Sequence, residues 1–168
     1  MVQVELACGE ELVTLNDLAP REQETALATQ ENLFKSNHPH SKSGHFVSGG
    51  VLVEFPEGTY EIFLAANDEI APTIFSCAEQ GVTRETRNHL EKEQLSYISS
   101  VFVIDQNGDE TPTEKPPWPC AVCRGWLAGL AKDAGLYEDM IVYVFNTTLE
   151  VGVKSTIGIL LPHMRDIP

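Results

Sequence analysis

Three of the four cysteines stand in two short clusters, Cys77-Ala78-Glu79 and Pro119-Cys120-Ala121-Val122-Cys123-Arg124. Zinc takes nitrogen and sulfur ligands in a tetrahedron, and a catalytic site leaves one of the four positions open for water. Cys120 and Cys123 are three residues apart, so on one helical turn both sulfurs can face the same ion. Cys77 would supply the third thiolate. Three thiolates place excess negative charge on a metal and blunt its acidifying effect on water. Helix N-termini offset this, because their unpaired N–H groups and the macrodipole favour thiolates. Arg124, next to Cys123, is a candidate to add positive charge and a hydrogen bond to a ligand sulfur. Glu79 lies two residues beyond Cys77, within reach of the water's proton without ligating the metal.

Cys-x-x-Cys alone is shared by structural zinc sites and redox pairs. A structural site with four cysteine ligands would need Cys8, which lies far off near the N-terminus. A thioredoxin-like pair follows a strand directly, whereas Cys120 follows the proline-rich Glu114-Lys115-Pro116-Pro117-Trp118-Pro119. The Cys-x-Glu element favours the catalytic reading, since Cys-x-Glu with Pro-Cys-x-x-Cys is the arrangement zinc deaminases use. The chemistry it implies is hydroxide attack on an amidine carbon, with Glu79 shuttling protons and ammonia leaving. Cys8 is read as a small hydrophobe with no chemical role.

The elements that must position these groups follow from the rest of the chain. At 168 residues, 42% hydrophobic and 21% charged, it reads as one globular domain, residues 1–168, with no internal repeat. No apolar run reaches membrane-spanning length, and the first residues lack a basic segment leading into an apolar one. Cysteines at metal-type spacing suit a reducing compartment, and the expectation is a cytoplasmic protein with no membrane partner. The formal charge of −14, with 11 scattered Lys and Arg, disfavours a protein that tracks a phosphate backbone. A small substrate is expected rather than nucleic acid.

The patterning predicts a helix over 20–36, with Pro20 in its first turn and Ala26, Leu27 and Leu33 as a thin apolar stripe. A hairpin follows, Val47–Phe55 and Thr59–Ala66 about a turn at Pro56-Glu57-Gly58. A helix is expected from near Phe75 to about Leu95, then a strand at Val101–Ile104 ended by Asp105-Gln106-Asn107-Gly108-Asp109. A polar, proline-rich loop over 102–118 is a candidate lid and delivers Cys120. A helix over 120–134 ends near Gly135, and strands follow at Met140–Phe145 and about Glu150–Val153. This order implies an α/β fold, a three-layer α-β-α sandwich with a mixed central sheet of about five strands. Both cysteine motifs fall where a strand hands over to a helix, as ligand sites in open α/β sheets do.

With these motifs in place, the chain from about residue 20 to residue 162 resembles the cytidine deaminase family, in its small-subunit type with three zinc cysteines. Cys77-Ala78-Glu79 and Pro119-Cys120-x-x-Cys123-Arg124 match at the motif positions. His38-Pro39-His40-Ser41-Lys42 is similar to the family's Pro-Tyr-Ser-x loop. Phe46-Val47-Ser48-Gly49-Gly50-Val51-Leu52 resembles its Phe-x-Val-Gly-Ala-Ala-Leu strand, Asn67-Asp68-Glu69 its Asn-x-Glu-Asn, and Ile159-Leu160-Leu161-Pro162 its Glu-Leu-Leu-Pro. The resemblance implies zinc held by Cys77, Cys120 and Cys123, with Glu79 moving protons. It further implies Phe46 stacking on the pyrimidine, Asn67 and Glu69 bonding the sugar hydroxyls, and a homotetramer whose active sites neighbouring subunits complete.

The implied activity is deamination of cytidine and deoxycytidine to the uridines. Several positions depart from the family pattern: Ile70 follows Glu69, Gln80 follows Glu79, Gly125 follows Arg124, and Trp118 precedes Pro119-Cys120. Asn67 is ten residues before Cys77, one fewer than expected, and the tail after Pro162 lacks the family's aromatic. Two alternatives therefore stay open. One is a deaminase of another aminated heterocycle, such as a blasticidin-type nucleoside antibiotic. The other is a zinc-binding relative without turnover.

Overall fold

The computed structural model describes residues 6, 8–36, 46–71, 74–106 and 119–160. Strand β1 (Glu11–Val13) precedes helix α1 (Pro20–Lys35) and a hairpin of β2 (Val47–Glu54) and β3 (Tyr60–Ala66). A second, smaller hairpin, β4 (Asp68–Ala71) and β5 (Ile74–Ser76), leads into α2 (Ala78–His89). The chain continues through β6 (Ile98–Asp105), α3 (Ala121–Asp133), β7 (Ile141–Phe145), β8 (Gly152–Thr156) and the one-turn α4 (Ile157–Leu160). The main sheet has six strands in the order β1-β8-β7-β6-β2-β3, where about five were expected. The extra one is β1, an edge strand that pairs antiparallel with β8 from Glu11 opposite Lys154 to Val13 opposite Gly152. β6 and β7 run parallel and every other neighbouring pair runs antiparallel, so the sheet is mixed.

The sheet is covered on both faces because its inner strands have alternating residues that are all apolar. Val101 and Val103 of β6, with Val142 and Val144 of β7, pack against Val82 of α2 and Leu127, Leu130 and Ala131 of α3. Phe102 and Ile104, with Tyr143 and Phe145, pack on the other side against Ala26 and Leu33 of α1. The period of two along each strand sends successive residues to opposite layers, giving the three-layer α-β-α sandwich. The α1 stripe differs from expectation at one residue. Leu27 is exposed, and the buried face is Thr25, Ala26, Thr29 and Leu33. Thr25 Oγ1 donates to the Arg21 carbonyl and Thr29 Oγ1 to the Thr25 carbonyl, each at 2.7 Å. Both hydroxyls are thereby satisfied within the helix, and α1 can lie close over Gly50 of β2.

The β2–β3 turn forms as the sequence suggests. Gly58 takes φ +91°, a left-handed conformation that side chains disfavour. The helix expected from Phe75 to Leu95 is shorter at both ends. Ile74–Ser76 pairs with β4 instead, and Cys77, at φ −67° and ψ 149°, caps α2 in extended conformation. At the other end Leu90 turns extended, and Lys92–Tyr97 restarts as a 3-10 segment capped by Gln94. Leu90 and Leu95 both reach the core. In a continuous α-helix, residues five apart would point about 140° away from each other. β8 begins at Gly152 rather than Glu150, because Asn146 closes a turn to Val151 in which Leu149 has φ +59°.

Candidate metal centre

α2 and α3 lie side by side on one face of the sheet, and each opens on a cysteine. Cys77 is the N-cap of α2, its carbonyl accepting from the Gly81 N–H at 2.9 Å. Cys120 is the N-cap of α3, its carbonyl accepting from the Arg124 N–H at 2.9 Å. Each thiol therefore sits at the positive end of a helix. Glu79 lies one residue into α2 and is buried, while Cys123 is buried on the first turn of α3. The Cys77 and Cys123 sulfurs and a Glu79 carboxylate oxygen all lie within 4.8 Å of one another. Cys120 stands at the solvent edge of this group, and its thiol interacts with both other cysteines.

Two packing features hold the helices in this relation. Gly81 of α2 faces Ala65 of β3, and Gly49 of β2 faces the Ala78 carbonyl, so the first turn of α2 rests directly on the hairpin. A Cβ on Gly81 would lie 2.9 Å from that of Ala65, and one on Gly49 would lie 3.2 Å from the Ala78 oxygen. At the far ends of α2 and α3, Arg87 Nη2 meets Asp133 Oδ2 at 2.6 Å. Arg124 holds the main chain of its own motif. Its Nε donates to the Pro119 carbonyl at 2.8 Å, tying the chain just before Cys120 to the first turn of α3.

Burial raises the Cys77 thiol pKa, and the Glu79 charge adds to the rise against a lowering contact from Cys123. Burial, then Glu79, pushes Cys123 much further up. Without a cation the Cys77 and Cys123 thiols therefore keep their protons. A soft divalent ion would replace them, and a set of two or three sulfurs with one carboxylate at hand suits zinc. The donor set therefore fits the metal expected from the spacing.

The expected substrate contacts are placed as follows. Phe46 directly precedes β2, half-buried, and packs against the core on the α1 side. Asn67 follows β3, and its Oδ1 accepts from the Val47 N–H at 2.9 Å. Glu69 lies in β4 opposite Phe75 of β5, and its neighbour Asp68 lies opposite Ser76, which directly precedes Cys77. The small hairpin thus brings Asp68–Glu69 back beside the first cysteine. The Pro72-Thr73 pair between two apolar dipeptides is the sequence signal for it. The loop at His38–Lys42, His45, Trp118 and the tail after Leu160 lie outside the described residues, as does 107–118 of the candidate lid. Among the described residues no helix is long and apolar enough to cross a membrane.

No family model matches the sequence, and no curated protein matches it. Solved structures do match. The cytidine deaminase from Burkholderia pseudomallei superposes at TM-score 0.53 with 21% identity, over 81% of this chain and 95% of that one. The one from Mycobacterium leprae gives 0.50 and 20%, over 86% and 99%. The enzyme from Mycobacterium tuberculosis gives 0.54 and 15%, over 89% and 100%. The six-stranded mixed sheet between helical layers is thus the cytidine deaminase fold, carried by a divergent sequence.

Proposed function

We propose that the protein is a zinc-dependent hydrolase that deaminates cytidine or deoxycytidine to the corresponding uridine. The observation that carries this reading is the convergence of Cys77, Glu79 and Cys123 at the paired N-termini of α2 and α3, with Cys120 beside them. The cytidine deaminase fold supports it. Cys77, Cys120 and Cys123 would hold the ion. Zinc, when bound, supplies a Lewis acid that lowers the pKa of water to about 7.

Glu79 does the proton work. Its carboxylate accepts a proton from water as the oxygen bonds to the ring carbon bearing the amino group. It returns that proton to the adjacent ring nitrogen, then takes the proton of the new hydroxyl on that carbon and delivers it to the amino group, leaving the oxygen as the product carbonyl. The carbon–nitrogen bond breaks and ammonia leaves, so atoms and charge balance. A buried carboxylate at a helix N-terminus suits the role, because the site keeps it beside the reacting atoms while the helix tolerates its charge. Phe46, Asn67 and Glu69, at the ends of β2 and β3 and in β4, are the groups we assign to the nucleoside. The protein is expected to work as a homo-oligomer.

The test is ammonia release from cytidine, deoxycytidine, cytosine, cytidine 5′-monophosphate and blasticidin S by zinc-loaded protein. Glu79→Ala should lower turnover by about 10²–10⁴-fold, the range for a general acid–base, with metal content retained. Turnover of blasticidin S alone would replace the nucleoside assignment with the antibiotic one. Bound zinc with no ammonia from any substrate would refute the deaminase reading.

A further inference from the structure

The two strands that feed the cysteine motifs leave the sheet by the same device. β3 ends at Ala66, whose partner in β2 is Ser48, so the next residue, Asn67, falls opposite Val47. The Asn67 N–H donates to the Val47 carbonyl at 3.0 Å, but the Val47 N–H donates to Asn67 Oδ1 at 2.9 Å. β6 ends at Asp105, whose partner is Val47, and Gln106 falls opposite Phe46. The Gln106 N–H donates to the Phe46 carbonyl at 3.0 Å, while the Phe46 N–H donates to Gln106 Oε1 at 3.2 Å.

An antiparallel hydrogen-bonded pair ordinarily exchanges two main-chain bonds. In both of these pairs a side-chain carbonyl stands in for one main-chain carbonyl. Successive N–H groups of a strand point to opposite neighbours, so one carboxamide serves each side of β2. The ladder needs nothing further from the main chain of Asn67 or Gln106, and each chain is released at that residue. After Asn67 it enters the hairpin that ends at Cys77. After Gln106 it enters the segment that ends at Cys120.

We propose that Gln106 is a positioning residue of the substrate pocket. With Asn67 it clasps the first residues of β2 and fixes the main chain at Phe46, the residue assigned to the pyrimidine, a role that rests on the deaminase reading above. Gln106 does not touch substrate. It acts through the Phe46 main chain, so its loss weakens binding of substrate and transition state alike.

Gln106→Leu removes the acceptor at nearly constant volume, and Gln106→Glu keeps an acceptor oxygen. For a hydrogen bond of ordinary net strength, Gln106→Leu should raise KM for cytidine about 3- to 10-fold with kcat held within about twofold. Exchange of the Phe46 amide should speed up by a similar factor, zinc content should stay at the parent level, and Gln106→Glu should restore both KM and amide protection. An unmoved KM with faster Phe46 exchange overturns the positioning role and leaves Gln106 as a strand end. A parallel loss of kcat and zinc also overturns it. Failure of the deaminase reading looks different: the parent then turns over no nucleoside, the Glu79→Gln protein binds no cytidine by calorimetry, and the positioning role falls with it.

Discussion

Gly81→Ala sets two known effects against each other and reports on the seat of the metal site. Replacing a helical glycine with alanine normally stabilises by about 1 kcal/mol. Here the new Cβ would lie 2.9 Å from that of Ala65, roughly 0.6–1.1 Å inside ordinary aliphatic contact. Both atoms are rooted in main chain, so no rotamer change relieves the overlap and α2 must lift from the hairpin. Overpacking of this kind costs about 1–3 kcal/mol. The net expectation is a loss of about 1 kcal/mol, with the opposite sign from helix propensity alone.

The displacement also matters chemically, since catalytic groups must be held within about 0.5 Å and Gly81 lies one turn from Cys77 and two residues from Glu79. Ala65→Gly removes the opposing methyl at a cost of about 0.5–1 kcal/mol. Urea unfolding of the two single variants and the double should give a coupling of about 1 kcal/mol or more in favour of the double. Chelator competition should show zinc affinity falling in Gly81→Ala and recovering in the double. A stabilised Gly81→Ala, or a cycle that is additive, would refute the close-packing argument.

Two further outcomes follow from the protonation chemistry. Zinc uptake should release about two protons or more, one from each of Cys77 and Cys123, and zinc affinity should rise with pH, because burial holds the Cys77 and Cys123 thiols protonated; calorimetry in buffers of different ionisation enthalpy measures the number, and a value near zero would remove these cysteines as ligands. Tyr143 donates to Glu22 Oε1 at 2.9 Å, and burial followed by that bond raises its pKa above the usual 10.0. The unfolded chain therefore ionises first, and the stability contributed by the protonated phenol is lost as pH climbs past 10.0 towards the higher folded value. Tyr143→Phe should cost about 0.5–1.5 kcal/mol near neutrality and flatten the alkaline limb of the urea midpoint, whereas an unchanged limb would show that Tyr143 does not drive it.

The convergence of Cys77, Glu79 and Cys123 was legible in sequence because its information is chemical and local: residue types at fixed spacing, at sites where a helix can start. The β2–β3 hairpin was legible for a similar reason, since Gly58 sits between two apolar runs and supplies the positive φ its turn needs. What escaped was set by partners distant in sequence. β1 has three residues, one of them buried, and exists only because β8 offers an edge. Leu27 looked like core, yet α1 turns Thr25 and Thr29 to the sheet because Gly50 leaves room for small residues and their hydroxyls bond within the helix. Gln106 read as part of a strand-ending polar run. Its partner, the Phe46 N–H, becomes apparent only when β2 and β6 are laid side by side. Arg124 was considered for a ligand sulfur on proximity in sequence, and its bond to the Pro119 carbonyl could not be read from spacing.

The order of strands also shapes how this chain can fold. β2 and β3 pair across a short turn, but β1 waits for β8, joining residue 11 to residue 154. Pairings so distant are slow to form, because a long loop must close before any contact repays the lost entropy. Among the described strands β1 is made first and its partner β8 last, so the earliest of them is among the last to dock. Until it does, β8 carries an open edge, and that late seam is where a partly folded chain would be most exposed to pairing with another.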